Sequence, residues 1–152
     1  KNTPSAIALS RQKLPYIKPT FTKKNKCELG AYIVNITSQN YVINLIASGS
    51  EVEIALDAQK KLKEINIDSK VVSMPCQELF DKQSSSFKNE IIDKNIPIIT
   101  IEASCVYSWE KYSNHNMGIN TFGESAPYKE VYSHFNLTST NVVEFAKKII
   151  KE

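Results

Sequence analysis

Three stretches of this chain carry apolar residues at consecutive positions, and between them the apolar residues recur with a helical period. The stretches are Tyr41–Ala47, Lys70–Met74 and Ile96–Ile101. A strand with one exposed face alternates apolar and polar residues, whereas a strand buried on both faces is apolar throughout. Such strands alternate with helices in sheets that are covered on both sides. The pattern therefore predicts an α/β fold with a mostly parallel sheet.

The segment after the first stretch is predicted as a helix over Glu51–Ile65. Its apolar residues lie on one face; they are Val52, Ala55, Leu56, Leu62 and Ile65. Ser50 and Glu53 stand in the positions of a capping box, in which each side chain satisfies a free backbone donor at the helix start. Carboxylates in this first turn are stabilised by the helix dipole without any catalytic role. The preceding Ser48-Gly49-Ser50 turn is therefore interpreted as architectural.

The length of 152 residues fits one ordinary domain, so we assign residues 1–152 to a single domain. Residues 1–40 are predicted to hold two N-terminal strands, Ala6–Leu9 and Ala31–Val34, joined by a long loop that contains Pro15 and Pro19. Residues 41–152 are predicted to form an alternating β/α core. Its further predicted elements are short helices at 76–81, 87–93 and 107–112, a strand at 117–119, and helices at 126–135 and 140–151.

The net charge, the length of the apolar stretches and the spacing of the glycines exclude several classes of function. The net charge of +3 is spread along the chain, unlike the basic stripe of a nucleic-acid-binding surface. We recognise no leader segment and no apolar stretch near the ~18 residues that span a bilayer, so we expect a soluble, cytoplasmic protein. The four glycines are too dispersed for a P-loop or a dinucleotide fingerprint. The three cysteines are odd in number and far apart, which predicts reduced thiols.

Arg11 is the first candidate for ligand binding. It is the only arginine among 19 basic residues. A guanidinium holds a phosphate or carboxylate through two parallel hydrogen bonds, which lysine cannot do. The alternative interpretation is an arginine in an ordinary surface ion pair.

The other candidates carry weaker signals. Glu102 directly follows an apolar strand and is the carboxylate of most interest. His115 and His134 have no ligand-type neighbours in the sequence, so both are interpreted as surface or packing residues. Trp109 is predicted to pack in the core or at an interdomain surface, and Cys105 to be a buried, inert thiol. We assign no catalytic residue and no metal ligand.

Five blocks of the chain, in order, resemble the transketolase family, and they match only its C-terminal third. The blocks are Ala8–Pro15 (ALSRQKLP), Leu45–Glu53 (LIASGSEVE), Val71–Pro75 (VVSMP), Glu78–Phe80 (ELF) and Phe122–Pro127 (FGESAP). Glu124 stands where the family usually has a small residue, and Ser48 where threonine is usual. These two departures leave the substrate preference within the family open.

The resemblance implies a three-layer α/β/α sandwich around a five-stranded mixed sheet, with one strand antiparallel to the other four. It also implies membership of a homodimeric transferase of the pentose phosphate pathway, which moves a two-carbon ketol unit between sugar phosphates. In the family, thiamine diphosphate and Mg²⁺ or Ca²⁺ are bound by the two preceding domains. This chain is therefore expected to bind neither cofactor and to be inactive alone.

One functional residue carries over by resemblance. The arginine of the family's Ser-Arg-Gln segment contacts the substrate phosphate, and Arg11 occupies that position. Two alternatives stay open, namely a non-catalytic α/β binding or interaction module and the equivalent domain of a related thiamine diphosphate enzyme. Dihydroxyacetone synthase and deoxyxylulose phosphate synthase are such enzymes, and the Ser-Arg-Gln and Ser-Glu-Val-Glu blocks resemble transketolase more than the latter.

Overall fold

The computed structural model describes residue 4, residues 6–17 and residues 23–151. Five strands form one sheet: β1 (Tyr32–Ile36), β2 (Ile43–Ala47), β3 (Ser69–Ser73), β4 (Ile98–Ile101) and β5 (His115–Met117). Their order across the sheet is β1-β3-β2-β4-β5. β1 is antiparallel to β3, and the other neighbouring strands are parallel. The predicted mixed sheet with a single antiparallel strand is confirmed.

Helices cover both faces of this sheet. They are α1 (Glu51–Glu64), α2 (Gln77–Asp81), α3 (Ser85–Ile91), α4 (Tyr128–His134) and α5 (Ser139–Ile149), with 3₁₀ helices at Lys26–Leu29 and Val106–Ser108. One core cluster packs α1 and α5 against the sheet, and α4 adds partly buried side chains to it. A second cluster packs α2 and α3 on the opposite face. The predicted three-layer α/β/α arrangement is thus confirmed.

The two clusters explain why the central strands are apolar at consecutive positions. All five residues of β2 are buried. Leu45 belongs to the cluster under α1 and α5, whereas its neighbour Ile46 belongs to the cluster under α2 and α3. Successive side chains of a strand point to opposite faces, so a sheet with two covered faces requires apolar residues at both.

The predicted strand at Ala6–Leu9 is wrong. Residues 6–10 have no regular secondary structure, and the side chains of Ile7 and Leu9 are 82% and 85% exposed. A short apolar run becomes a strand only where a partner supplies backbone hydrogen bonds and covers the side chains. In the described structure nothing does so for this run. The part of the predicted long loop that contains Pro19 lies outside the described residues.

Smaller differences concern the segment between β4 and α4. The helix predicted at 107–112 is a single 3₁₀ turn at Val106–Ser108 followed by turns, and β5 begins two residues before the strand predicted at 117–119. Trp109 is 3% exposed and packs in the cluster with α2 and α3, which confirms its predicted packing role. None of the described helices is both long and apolar enough to cross a lipid bilayer.

Candidate functional site

The carboxyl ends of β2 and β4 form the edge of the sheet at which a ligand site is expected. The two strands are parallel neighbours, and the chain continues from β2 to β3 on one side and from β4 to β5 on the other. Such a reversal of strand order separates the loops that follow the two strands, and ligands of open α/β sheets bind in the resulting crevice. The side chains that follow these two strands therefore determine what the edge can bind.

Ser48 and Glu102, the residues directly after β2 and β4, are hydrogen-bonded across this edge. Ser48 Oγ donates to Glu102 Oε2 at 2.7 Å. Burial and, to a smaller extent, the negative charge of Glu51 raise the pKa of Glu102 to about 6, although the bond from Ser48 acts in the opposite direction. The Ser-Gly-Ser turn and Glu102, which the sequence marked separately, thus belong to one site.

A second carboxylate, Glu51, is the first residue of α1 and is 3% exposed. The Tyr132 hydroxyl of α4 donates to Glu51 Oε1 at 2.5 Å, and Ser50 Oγ donates to the same oxygen at 2.7 Å. Burial and the bond to Glu51 raise the pKa of Tyr132 to about 12, so its phenol stays protonated and donates at neutral pH. We call Ser48, Ser50, Glu51, Glu102 and Tyr132 the switch-point cluster.

The predicted capping box at Ser50 and Glu53 does not form. Ser50 precedes α1, but its side chain makes no hydrogen bond to the free backbone donors of the helix. Its φ of −66° and ψ of −29° are helical, whereas a capping residue is extended. The hydroxyl bonds to Glu51 instead, so the turn contributes to the switch-point cluster as well as starting the helix.

Arg11 lies in the described segment 6–17, which has no regular secondary structure, and its side chain is exposed. The next residue, Gln12, is partly buried. Gln12 lines a cavity of about 170 Å³ together with Ser50 and Tyr132. Gln12, the last residue of the Ser10-Arg11-Gln12 block, therefore lies near Ser50 and Tyr132, the two members of the switch-point cluster that line this cavity.

The remaining candidates lie apart from this cluster. His115 packs edge-on against Phe145, and His134 against Phe135, with ring centroids 6.1 Å and 4.8 Å apart. These contacts agree with the predicted packing roles. Cys105 is exposed, so the prediction of a buried thiol is wrong; the residue lies in the loop between β4 and the 3₁₀ turn at Val106–Ser108, outside both core clusters. Within the described ranges, no group of three or more His, Cys, Asp or Glu is placed to hold a metal ion.

The raised pKa of Glu102 predicts a specific pH dependence of stability. The folded state holds the proton of the Glu102 carboxyl more tightly than the unfolded state does. The protonated carboxyl therefore contributes its full stabilisation below pH ~4.5, and this contribution is lost as pH rises through ~6. The full pKa shift corresponds to ~2 kcal/mol of folding free energy, and partial exposure of the side chain reduces the expected effect to ~1 kcal/mol.

Glu102→Gln keeps an acceptor for Ser48 and removes the charge. We expect it to raise the free energy of unfolding by ~1 kcal/mol at pH 7.5 and not at pH 4.

Urea unfolding at both pH values measures this effect. Glu124→Gln makes the same chemical change at an exposed position, and it should leave stability unchanged at both. Equal changes in the free energy of unfolding for Glu102→Gln and Glu124→Gln would contradict a charged, partly buried Glu102.

Comparison with known proteins relates this geometry to a family. The profile of the transketolase-like C-terminal domain matches residues 30–138. The transketolase of Sinorhizobium medicae is 39% identical over 155 aligned residues, which cover 99% of this chain. The chain belongs to the transketolase C-terminal domain family.

Other transketolases agree with this assignment in sequence and in fold. Transketolase 1 of Saccharomyces cerevisiae is 37% identical across 99% of the chain. The crystal structure of the Pichia stipitis transketolase in complex with sedoheptulose-7-phosphate superposes with a TM-score of 0.85 over 93% of the chain, at 35% identity. The matched part is 20% of that protein, and the chain spans 22% of the Sinorhizobium transketolase. The chain thus spans about a fifth of the length of these transketolases.

Proposed function

We propose that the chain acts as the C-terminal domain of a complete transketolase, an enzyme that transfers a two-carbon ketol unit between sugar phosphates. The observation that carries this proposal is the match of nearly the whole chain to transketolases, at 39% identity over 99% of its length. Residues 1–152 serve as one domain in this proposal. The reacting groups lie on the preceding domains, so the chain is inactive alone.

Arg11 supplies a contact to the substrate phosphate in this proposal. Three observations support it: the arginine occupies the middle of the Ser-Arg-Gln block, its side chain is exposed, and the neighbouring Gln12 lines a cavity with Ser50, which follows β2, and with Tyr132. The Pichia stipitis relative binds sedoheptulose-7-phosphate, whose phosphate is a ligand that a guanidinium holds through two hydrogen bonds. A further phosphate-binding group would come from a preceding domain.

Thiamine diphosphate and its Mg²⁺ or Ca²⁺ belong to the preceding domains in this proposal, and the enzyme is a cytoplasmic homodimer. Thiamine diphosphate supplies the carbanion chemistry of the transfer. Four exposed apolar side chains support a role for this chain in packing against those domains. They are Ile7, Leu9, Tyr107 and Phe122, which are 82%, 85%, 81% and 98% exposed. Apolar side chains exposed to this extent are typical of surfaces that another domain covers.

Arg11→Ala in the assembled enzyme tests the phosphate contact. A hydrogen bond to a charged group contributes ~1.5 to 3 kcal/mol, which corresponds to an increase of KM of roughly 10- to 100-fold for phosphorylated substrates. The turnover number should fall far less, because the contact is distant from the reacting carbon and is made equally in the ground state and the transition state. Steady-state kinetics with a sugar phosphate acceptor measures both constants.

Two controls separate the phosphate contact from a general defect. An unphosphorylated acceptor aldehyde should show the same KM with Arg11 and with Arg11→Ala. Arg11→Lys keeps the charge but loses the planar fork of donors, so its KM should lie between those of the other two. An equal increase of KM for phosphorylated and unphosphorylated acceptors in Arg11→Ala would rule out the proposed role of Arg11.

A further inference from the structure

We propose that a cavity on the α2–α3 face of the sheet binds the phosphate group of a small molecule through Lys88, Lys94 and Lys111. The cavity lies between α2, α3 and the turn that precedes β5, and its volume is about 430 Å³. This volume is typical of small-molecule sites in proteins. It is a second ligand site, and it does not depend on the phosphate contact proposed for Arg11.

The charges that line this cavity are mostly positive. Among its described lining residues Asp81 is the sole acid, and the three lysines are the bases. Three positive charges less one negative charge leave a surplus of two, and a phosphate group carries up to two negative charges at neutral pH. Because a cleft lined by charges of one sign concentrates counter-ions, the cavity favours a phosphate over a neutral ligand.

Asp81 is already engaged, and it holds two of the three ammonium groups in place. Lys111 Nζ donates to Asp81 Oδ2 and the Tyr112 hydroxyl donates to Oδ1, both at 2.6 Å. Lys88 Nζ donates to the backbone carbonyl of Asp81 at 3.2 Å. Both ammonium groups are therefore positioned at the end of α2 before a ligand binds, which lowers the entropy cost of binding.

Lys94 supplies a charge that the protein does not pair. Within the described ranges its side chain lines the cavity but makes no hydrogen bond and no ion pair. The adjacent Asp93 does not line the cavity, and its carboxylate accepts hydrogen bonds from the backbone and the side chain of Asn95 instead. A ligand phosphate would give the Lys94 ammonium group a partner.

The surroundings indicate where the phosphate and the rest of the ligand lie. An adjoining cavity shares Lys94 and Lys111 but also contains Glu110, which makes no ion pair in the described structure. A free carboxylate repels a phosphate, so the phosphate belongs on the side of Lys88. There the base of the cavity is apolar, since Phe80 and Ile92 line it and are 2% and 3% exposed. An apolar base favours a phosphate ester over free phosphate.

Titration of the isotope-labelled 152-residue chain with phenyl phosphate and, separately, with inorganic phosphate tests the site by NMR. Both probes should shift the backbone amide signals of residues 81–94 and 110–113, and the shifts should saturate. Contact of the phenyl ring with the apolar base should make phenyl phosphate bind about 3- to 10-fold more tightly, which identifies an ester as the ligand. Equal affinities identify free phosphate. Phenol, which lacks the phosphate, should cause no saturating shift.

Lys94→Gln removes one of the charges without breaking a bond of the fold. We expect it to raise the Kd of phenyl phosphate by about 3- to 5-fold, since an exposed charge contact contributes up to ~1 kcal/mol. Lys88→Gln should weaken binding to a similar extent. Lys148→Gln is the matched control, because it removes the same charge from an exposed residue of α5, on the opposite face of the sheet. It should leave the Kd unchanged.

Three results would overturn the proposal. The first is the absence of a saturating shift with either phosphate probe. The second is an equal loss of affinity in Lys94→Gln and Lys148→Gln, which would show attraction by net charge alone. The third is a set of shifts confined to residues 10–12, which would report binding at Arg11 instead. None of these results alters the KM change expected for Arg11→Ala, so the two phosphate contacts are tested separately.

Discussion

Replacement of Gly30 by alanine should destabilise the fold by about 3 to 5 kcal/mol. Gly30 follows the first 3₁₀ helix with a φ of +85°, a conformation that residues with a Cβ adopt only at a cost. A Cβ built there would lie 2.2 Å from the backbone nitrogen of Phe80 and 2.5 Å from the carbonyl oxygen of Cys76. Neither backbone atom can move without shifting α2, because the Gly30 carbonyl accepts a hydrogen bond from the Cys76 amide at 3.1 Å.

Two of the other three glycines separate the cost of the positive φ from the cost of the steric overlap at the added Cβ. Gly49 also has a positive φ, of +49°, but a Cβ there would meet nothing within 4 Å, so Gly49→Ala should cost only ~1 kcal/mol of conformational strain. Gly123 has open space and no such φ, so Gly123→Ala should be neutral. Urea unfolding of the three variants gives the ranking. A Gly30→Ala variant as stable as Gly49→Ala would show that α2 moves freely relative to the 3₁₀ helix, contrary to the packing seen here.

The central strands were predictable because their pattern is local, whereas the two edge strands were predictable only in part: the strand predicted at Ala31–Val34 overlaps β1, and that at 117–119 meets β5 only at Met117. β2, β3 and β4 are buried on both faces, and burial on both faces favours apolar residues at consecutive positions of the sequence. β5 is three partly exposed residues, His115–Met117, and only its pairing with β4 makes it a strand. Ala6–Leu9 shows the converse error, since an apolar run predicts a strand only if some part of the chain is available to pair with it.

The switch-point cluster was predictable residue by residue only in part. Glu102 and the Ser48-Gly49-Ser50 turn were each marked by following an apolar strand. Their contact spans 54 positions, and predicting it requires knowing that β2 and β4 are neighbours. Glu51, one of the carboxylates in the first helical turn, was interpreted as stabilised by the helix dipole, so its burial was not expected. Tyr132 was not selected as a candidate residue. A carboxylate at a helix start directly after a buried strand, together with the rule that carboxyl ends of parallel strands hold ligands, would have been the signal for Glu51.

Leu62→Ala is expected to be the second strongly destabilising change, with a loss of about 3 to 4 kcal/mol. Leu62 is fully buried in α1, within the cluster that also contains α5 and the central strands. Truncation removes apolar contacts and leaves a cavity, since the helix on one side and the sheet on the other cannot both close on it. Leu79→Ala makes the same change at a residue that is 38% exposed, and it should cost less than ~1.5 kcal/mol.

Leu62→Ala also tests whether stability and ligand binding are carried by separate parts of α1. The helix is anchored at its first turn by the bonds that Ser50 and Tyr132 make to Glu51, and Leu62 lies three turns further along, where it touches only the core. In the folded population the position of Glu51, and of the Ser50 and Tyr132 hydroxyls bonded to it, should be unchanged. We therefore expect Leu62→Ala to lower the urea midpoint while KM for phosphorylated substrates stays constant below the unfolding transition. A KM that rises in step with the loss of stability would show instead that the whole helix, and not its first turn, holds the site.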